Sequence, residues 1–292
     1  MPLVPLVPLV FRSPFAAMES PQLQIEAPRE FASIRARLES ADPQRFADIV
    51  RFLGLADAGP AIQVVLAPEG SNWARQVSPW IAGFAMGASD LVVIFPSRSP
   101  SYPHDTLEDV LRHEITHVLI ERASRGQPIP RWFNEGLAMA AEHGWRFGDQ
   151  TELIYQLALG ARASLYEIDR LFSGKQSDQA RAYALSGAFV RDVLQRYGSA
   201  GPAEILLRVR RGIPFDVAFA GIAGKTPAFA ESDFWNRQRI WTTWIPILTS
   251  SGVLWLIVSI LAVFAIRRRR QRDAAIEKEW EKEEEAGDPG PS

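Results

Sequence analysis

The chain contains no cysteine among its 292 residues. This absence excludes disulfide bonds, zinc sites built from thiolates and catalysis by a thiol nucleophile. The formal net charge of −2 gives no reason to expect nucleic acid as a partner. Neither a glycine-rich phosphate loop nor an internal repeat is apparent. Histidine is also scarce, with four residues in the whole chain, so a close pair of histidines is informative.

Such a pair occurs in the segment His-Glu-Ile-Thr-His at 113–117. On a helix, this spacing places His113 and His117 one turn apart on the same face, where both can bind one metal ion. Glu114 then lies within reach of a water bound to that metal. The pattern is H-E-x-x-H, typical of zinc metallopeptidases, in which the glutamate is the general base. The alternative is a pair of core histidines satisfied by hydrogen bonds, which the complete triplet disfavours.

The residues around this motif predict a helix. Asp105 and Thr106 suit the N-terminal cap, and two acidic residues follow in the first turn, where they favour the helix dipole. No helix-breaking residue occurs between 105 and 124, whereas Gly126 and Pro128 end the run. Because the segment is largely apolar, we expect the helix to be buried.

A catalytic zinc site needs three protein ligands and an open position for water. His104 and His143 are the other histidines, and a glutamate is the favoured third ligand. Glu135 lies 18 residues after the motif, in the segment Trp-Phe-Asn-Glu-Gly-Leu-Ala at 132–138 that begins a second predicted helix. The small residue Gly136 permits this helix to fold back closely against the first.

The two segments together resemble those of the gluzincin metallopeptidases. More closely, they resemble bacterial peptidase-MA-like domains, whose third ligand lies in a W-x-x-E-G-x-A segment. The resemblance covers roughly residues 60–238. It implies Zn²⁺ as cofactor, with His113, His117 and Glu135 as ligands and Glu114 as general base and acid. It also implies that the substrate is a peptide or protein.

One position departs from the thermolysin-like members of that group. They carry an aspartate four residues after the ligand glutamate, where it orients a ligand histidine, and this chain has Met139 there. Glu142, two helical turns after Glu135, is a substitute for that aspartate. However, a solvent-exposed charge is the favoured interpretation of Glu142, because glutamate is usually exposed.

Further candidates come from the roles that peptide hydrolysis requires. Gluzincins use a tyrosine or histidine from the C-terminal subdomain to stabilise the oxyanion, and Tyr183 is the candidate here. The alternative for Tyr183 is a half-buried packing aromatic. For His104 and His143, a structural or exposed position is the favoured interpretation.

The order of the predicted elements indicates the fold. Strands are predicted at 61–67, 80–85 and 90–95, the last two joined by a Met-Gly-Ala-Ser turn. In the resembling family, an edge strand pairs with the extended substrate, and 81–85 is the candidate; a plain interior hairpin is the alternative. Helices, the clearest at 178–197, follow the metal segments. We therefore predict an α+β, zincin-like fold, with a strand-rich N-terminal lobe, an active-site helix and a helical C-terminal lobe.

The C-terminal region predicts a membrane anchor. Residues 240–266 form an uncharged, mostly apolar run followed by an arginine cluster, and about 20 apolar residues can span a bilayer. The positive-inside rule then places the tail, 267–292, in the cytoplasm and the metallopeptidase-like domain, 31–238, outside. The apolar, proline-interrupted segment 1–30 is interpreted as a degenerate export signal. The alternative is a tail-anchored protein whose domain faces the cytoplasm.

The sequence thus predicts a single-pass membrane protein, with lipid as a partner, that hydrolyses peptide bonds through a zinc-bound water activated by Glu114. Two alternatives stay open: a zinc-stabilised peptide-binding module without turnover, and an envelope scaffold with an accidental motif. The binding module is disfavoured because a structural zinc site closes its fourth position, and Glu114 would then have no role.

Overall fold

The computed structural model describes residues 20–100, 103–143, 162–248, 252, 255–270 and 272. Most of the predicted export segment (1–19) and most of the predicted tail (273–292) lie outside the described residues. The chain divides into two compact units, Met1–Asn236 and Arg237–Ser292. The metal motif and all of its described neighbours lie in the first unit.

Four short strands form one sheet in the first unit. They are β1 (Leu23–Glu26), β2 (Ile62–Leu66), β3 (Gly83–Met86) and β4 (Leu91–Ile94), in the spatial order β1-β2-β4-β3. Both β1 and β4 run parallel to β2, whereas β3 runs antiparallel to β4 at the edge. All three predicted strands are present, although β3 begins at Gly83 and not at residue 80, and β1 is an addition.

The helices of the described residues have the following bounds: α1 (Ala32–Glu39), α2 (Gln44–Phe52), α3 (Leu107–Ser124), α4 (Arg131–His143), α5 (Leu165–Leu171), α6 (Gln176–Tyr197), α7 (Gly201–Arg210), α8 (Phe215–Ala223) and α9 (Pro227–Leu248). The motif helix α3 begins as predicted, because the hydroxyl of Thr106 accepts a hydrogen bond from the Asp109 amide at 3.1 Å. It ends at Ser124, and the following residue, Arg125, has a left-handed φ of 54°.

The motif helix lies inside the molecule. Most of the α3 side chains are buried, and α3 packs against β3 and β4 as well as against α4 and α7. Alternate residues of β4 face opposite sides of the sheet, since Val92 and Ile94 join the main core and Val93 joins a smaller cluster with Phe95. The expectation of a buried motif helix is confirmed, and this burial holds the motif in one position.

The predicted fold class was wrong in its N-terminal lobe. That part of the chain is not rich in strands but mixed α/β, because each strand has only four or five residues and α1 and α2 lie between β1 and β2. Parallel strands cannot be joined by a tight turn and need a long crossover. The parallel pairing of β1 with β2 therefore accounts for the helices that the strand pattern did not indicate.

The predicted transmembrane helix was also wrong. Within the described part of the chain, none of the helices combines the length and the apolar character needed to cross a bilayer. Residues 240–248 are the end of α9, whose earlier turns carry Glu231, Asp233 and Arg237.

The predictions that depended on this transmembrane helix were therefore also wrong. These are the single-pass topology, the assignment of the domain to the outside and the tail to the cytoplasm, and membrane lipid as a partner. The fold class is accordingly corrected to a mixed α/β domain with a small sheet and many helices.

Candidate metal centre

The two motif histidines and Glu135 meet between α3 and α4. The Nε2 atoms of His113 and His117 lie 3.4 Å and 3.3 Å from the same carboxylate oxygen, Oε2 of Glu135. The three potential ligand atoms lie within 4.8 Å of one another. His113 and Glu135 are buried, and His117 is partly exposed. The fold therefore brings together the three residues that the sequence selected as ligands.

The second nitrogen of each histidine faces an acceptor on α4. Nδ1 of His113 lies 3.3 Å from Oε2 of Glu142, and Nδ1 of His117 lies 2.8 Å from Oδ1 of Asn134. Because a carboxylate and an amide oxygen accept hydrogen bonds, each Nδ1 is placed to donate to its acceptor on α4, and Nε2 of each histidine faces Glu135. Glu142 is only 1% exposed, so the expectation of a surface charge was wrong.

Both ends of α4 are held by other parts of the fold. At its C-terminal end, Arg112 of α3 donates to the backbone oxygens of Ala141, at 2.5 Å, and Glu142, at 2.7 Å. A cation at this end also complements the helix dipole. At the N-terminal end, Oδ1 of Asp169 in α5 accepts a hydrogen bond from the Trp132 amide at 2.6 Å. These contacts define the position of Glu135 relative to the histidines.

Helix α4 also packs closely against α6. A Cβ atom added to Gly136 would lie 2.6 Å from the backbone oxygen of Ser186. The sequence assigned the small residue at 136 to packing against the motif helix, but Gly136 faces α6 instead. A glycine is required here because the two backbones approach too closely for any side chain.

The charges of the site favour a cation. Burial alone would lower the pKa of His113, but the hydrogen bonds to Glu135 and Glu142 outweigh it and raise that pKa to about 10. Burial likewise opposes ionisation of Glu135, yet the positive charge of His117 and the hydrogen bonds to both histidines hold its pKa well below the usual range. The carboxylates thus stabilise positive charge among the histidines, which is the electrostatic character that a divalent metal requires.

Glu114 lies beside this cluster, at a cavity of about 70 Å³. Burial raises the pKa of Glu114, as suits a group that exchanges protons near neutral pH. The cavity is also lined by Gly83 of β3, where an added Cβ would lie 3.0 Å from Cγ of Glu114. The missing side chain at Gly83 lets the edge strand approach the glutamate directly.

Tyr183 and His104 line the same cavity. The ring of Tyr183 lies 6.1 Å from that of His113, centroid to centroid, and burial raises its pKa well above the usual value, so its hydroxyl keeps the proton. His104 is buried and lies 4.6 Å from the His113 ring. Its Nδ1 is 3.2 Å from Oε2 of Glu142, without the alignment of a hydrogen bond. The side chain of His143 lies outside the described residues.

Sequence reasoning missed Asn134, Arg131 and Asp169. Arg131 lies one turn before Glu135, with its Nε 3.4 Å from Oε1 of that carboxylate. Asn134 and Arg131 both lie within four residues of Glu135, the candidate ligand, so this closeness in sequence could have identified them. Asp169 gave no such signal, because only the fold places it against α4.

A comparison with known families yields one match. The family model described as the peptidase MA superfamily matches residues 77–242, which is more than half of the chain. No curated protein matches the chain. The matched range begins shortly before β3 and ends within α9, so it includes both helices that carry the candidate ligands and the cavity beside Glu114.

Proposed function

The chain belongs to the peptidase MA superfamily, and from this membership we propose that it is a zinc metallopeptidase that hydrolyses peptide bonds. One observation carries the proposal. Nε2 of both motif histidines faces a single oxygen of Glu135, while each Nδ1 faces its own acceptor on α4. Two histidines that only filled the core would not both have to direct Nε2 at the same carboxylate oxygen.

The donor set fits zinc of the catalytic kind. His113, His117 and Glu135 would hold the ion, and two imidazoles with one carboxylate form a three-ligand set that leaves a position for water. The buried carboxylates, which raise the pKa of His113, support a cation in this place. Bound zinc would supply a Lewis acid that polarises the substrate carbonyl and makes water more acidic.

The remaining steps fall to the protein's own residues. Glu114 accepts a proton from the attacking water and passes it to the leaving amine. The hydroxyl of Tyr183 donates a hydrogen bond to the developing oxyanion. Within the described strands, β3 is an edge strand beside Glu114, and it binds the extended substrate backbone by strand addition.

The substitution Glu114→Gln tests the catalytic role. We expect the variant to retain zinc and to lose cleavage, because the amide cannot take up the proton. Glu108→Gln, in the first turn of the same helix, is the matched control and should leave both properties unchanged. Cleavage at the wild-type rate by Glu114→Gln would contradict the proposal.

Two further results would favour the alternatives. If the wild type binds zinc and peptides but cleaves none of them, the domain is a binding module. If the folded protein takes up no zinc, the motif is accidental. Glu135→Ala tests the third ligand, since an unchanged zinc affinity would remove Glu135 from the site.

A further inference from the structure

Arg131 lies at the exposed edge of the candidate metal centre. It is the first residue of α4 and precedes Glu135 by one helical turn. Its side chain is 50% exposed, whereas that of Glu135 is 10% exposed, and its Nε lies 3.4 Å from Oε1 of that carboxylate. The motif histidines face the other oxygen, Oε2. Glu135 therefore has the candidate metal position on one side and a solvent-accessible guanidinium on the other.

Aromatic contacts hold this guanidinium on the side of the cavity beside Glu114. Its Cζ atom lies 4.6 Å from the centroid of the Phe172 ring, an arrangement in which the cation and the ring attract each other. Phe172 packs edge-on against Tyr183, with ring centroids 5.2 Å apart, and Tyr183 lines the cavity. The charge of Arg131 is therefore held next to the place where a substrate has to lie.

Most of the donors of this guanidinium are not used within the protein. Arginine carries five N–H donors, and in the described part of the chain the Arg131 side chain makes a hydrogen bond only from Nε to Glu135. The other acidic neighbour, Asp169, accepts from backbone amides at the start of α4, that of Trp132 among them. The two terminal nitrogens are thus available to an outside acceptor, and their planar fork fits a carboxylate.

The charges around the centre make the position of Arg131 distinctive. Glu114, Glu135 and Glu142 are buried acidic groups, so apart from the metal position itself the site disfavours a negative group. At Arg131 a negative group is attracted instead. An extended chain advances about 3.3 Å per residue, and the Glu135 carboxylate alone lies between Arg131 and the histidines. A carboxylate bound there belongs to a residue within about two positions of the cleaved bond.

We propose that Arg131 determines specificity by binding a carboxylate of the substrate close to the cleaved bond. The carboxylate is the side chain of an aspartate or glutamate, or the free C-terminus of the peptide, since both offer the same pair of acceptors. This inference rests on the proposed peptidase function. If Arg131 only paired with Glu135, its loss would affect every substrate alike, so the charge of the substrate distinguishes the two roles.

Cleavage of a peptide library is the first test. A synthetic mixture of peptides is digested, and its cleavage sites are identified by mass spectrometry. We expect acidic residues or free C-termini to be enriched at one fixed position within about two residues of the cleaved bond. Two pairs of peptides with the preferred sequence, glutamate against glutamine and C-terminal acid against amide, then distinguish the sources of the carboxylate. Cleavage that is insensitive to both differences would overturn the proposal.

Substitution of Arg131 is the second test, and its readout is the kcat/KM ratio of the acidic peptide to its uncharged partner. Arg131→Gln should lower this ratio by about 5- to 20-fold, between the effects of an exposed ion pair and of a buried charged hydrogen bond. Arg131→Lys should keep part of the ratio. Arg35→Gln is the matched control, because Arg35 pairs in the same way with Glu39, four residues on, in α1. An unchanged ratio in Arg131→Gln, even with weaker zinc binding, would overturn the proposal.

Binding without turnover separates this inference from the proposed function. In the Glu114→Gln background, the affinities of paired fluorescent peptide pools are measured; the pools differ only in glutamate against glutamine, or in a C-terminal acid against an amide. The acidic pool should bind about 5- to 20-fold more tightly, and Arg131→Gln should remove the difference. If the wild type cleaves no peptide, the proposed function fails, and these affinities still decide the role of Arg131. Equal affinities in both pairs, or a preference that Arg131→Gln retains, would refute it.

Discussion

The buried carboxylate of Glu142 lies 3.3 Å from Nδ1 of His113, although 29 positions separate the two residues. The carboxylate orients the imidazole and leaves its other nitrogen directed at Glu135. It stands one turn beyond Met139, the position at which the thermolysin-like pattern has an aspartate. A carboxylate in a different turn of α4 thus reaches His113, the candidate ligand.

Replacement of this carboxylate should weaken metal binding. We expect Glu142→Ala to lower the zinc affinity by about 10- to 100-fold, the usual effect of removing such a partner. Glu142→Gln should lose less, because its amide oxygen still accepts the Nδ1 proton. Competition with a chelator of known affinity measures both. Exposed Glu39→Gln is the control, and equal affinities for all three variants would show that Glu142 does not position His113.

Tyr183→Phe should lower kcat by about 10²- to 10³-fold, as expected when one oxyanion donor is lost. The pKa of Tyr183 is raised well above its usual value by burial, so the hydroxyl is available as a donor at neutral pH. Zinc affinity should not change, since the ring stays in place. Tyr166→Phe, at a residue that is 73% exposed, is the control. If Tyr183→Phe keeps the wild-type kcat, Tyr183 contributes to packing and not to stabilisation of the oxyanion.

Gly136→Ala should destabilise the fold. The added Cβ would lie 2.6 Å from the Ser186 backbone oxygen, so α4 and α6 must move apart at a cost of about 1–3 kcal/mol. Denaturant unfolding measures this loss. Gly70→Ala is the matched control, because nothing lies within 4 Å of its added Cβ. If both variants unfold at the same denaturant concentration, the close approach of α4 to α6 is not required.

Asp169→Ala should lower the free energy of unfolding by about 0.5–2 kcal/mol, the range found for helix N-terminal caps. The reason is that Asp169 accepts the hydrogen bond of the Trp132 amide at the start of α4. Asp169→Asn should be milder, since its amide oxygen accepts the same bond. Chemical unfolding of the three proteins measures the difference. An Asp169→Asn variant as unstable as Asp169→Ala would indicate that the charge, not the hydrogen bond, matters.

Glu69→Gln should show a pH-dependent loss of stability. Hydrogen bonds from Arg98 and Ser97 lower the pKa of Glu69 from 4.5 to about 2. Because the folded-state pKa is the lower one, the stabilisation is present above pH 4.5 and is lost as the pH falls towards 2. The side chain is 51% exposed, so the loss at pH 7 should be below about 1 kcal/mol.

The measurement for Glu69 is urea unfolding of both proteins from pH 7 down to pH 3. The difference between them should shrink as the pH falls below 4.5, and added salt should reduce it at pH 7. A difference that is independent of pH would show that Glu69 contributes through packing and not through its charge.

Local pattern was sufficient for several elements. The cap at Thr106, the uninterrupted run to residue 124 and the strands β2 and β4 depend on neighbours in sequence, and the structure confirms them. The burial of Glu142 was not predictable in this way, because it depends on α4 packing against α3. The transmembrane prediction failed because no described helix is long and apolar enough, and the first part of the apolar run belongs to α9, whose earlier turns carry charged residues.

The sequence by itself determined the chemistry available to this protein: two histidines one helical turn apart, a glutamate beside the first, and no thiol in the chain. Residue types and helical spacing are local properties, so they can be read before the chain is folded. Only the tertiary structure decided which atoms meet. Burial of α3 and α4 against each other places Nε2 of both histidines at one oxygen of Glu135 and supplies Glu142 and Asn134 as their acceptors. These contacts join residues far apart in sequence, and their geometry follows from packing, which no local pattern contains.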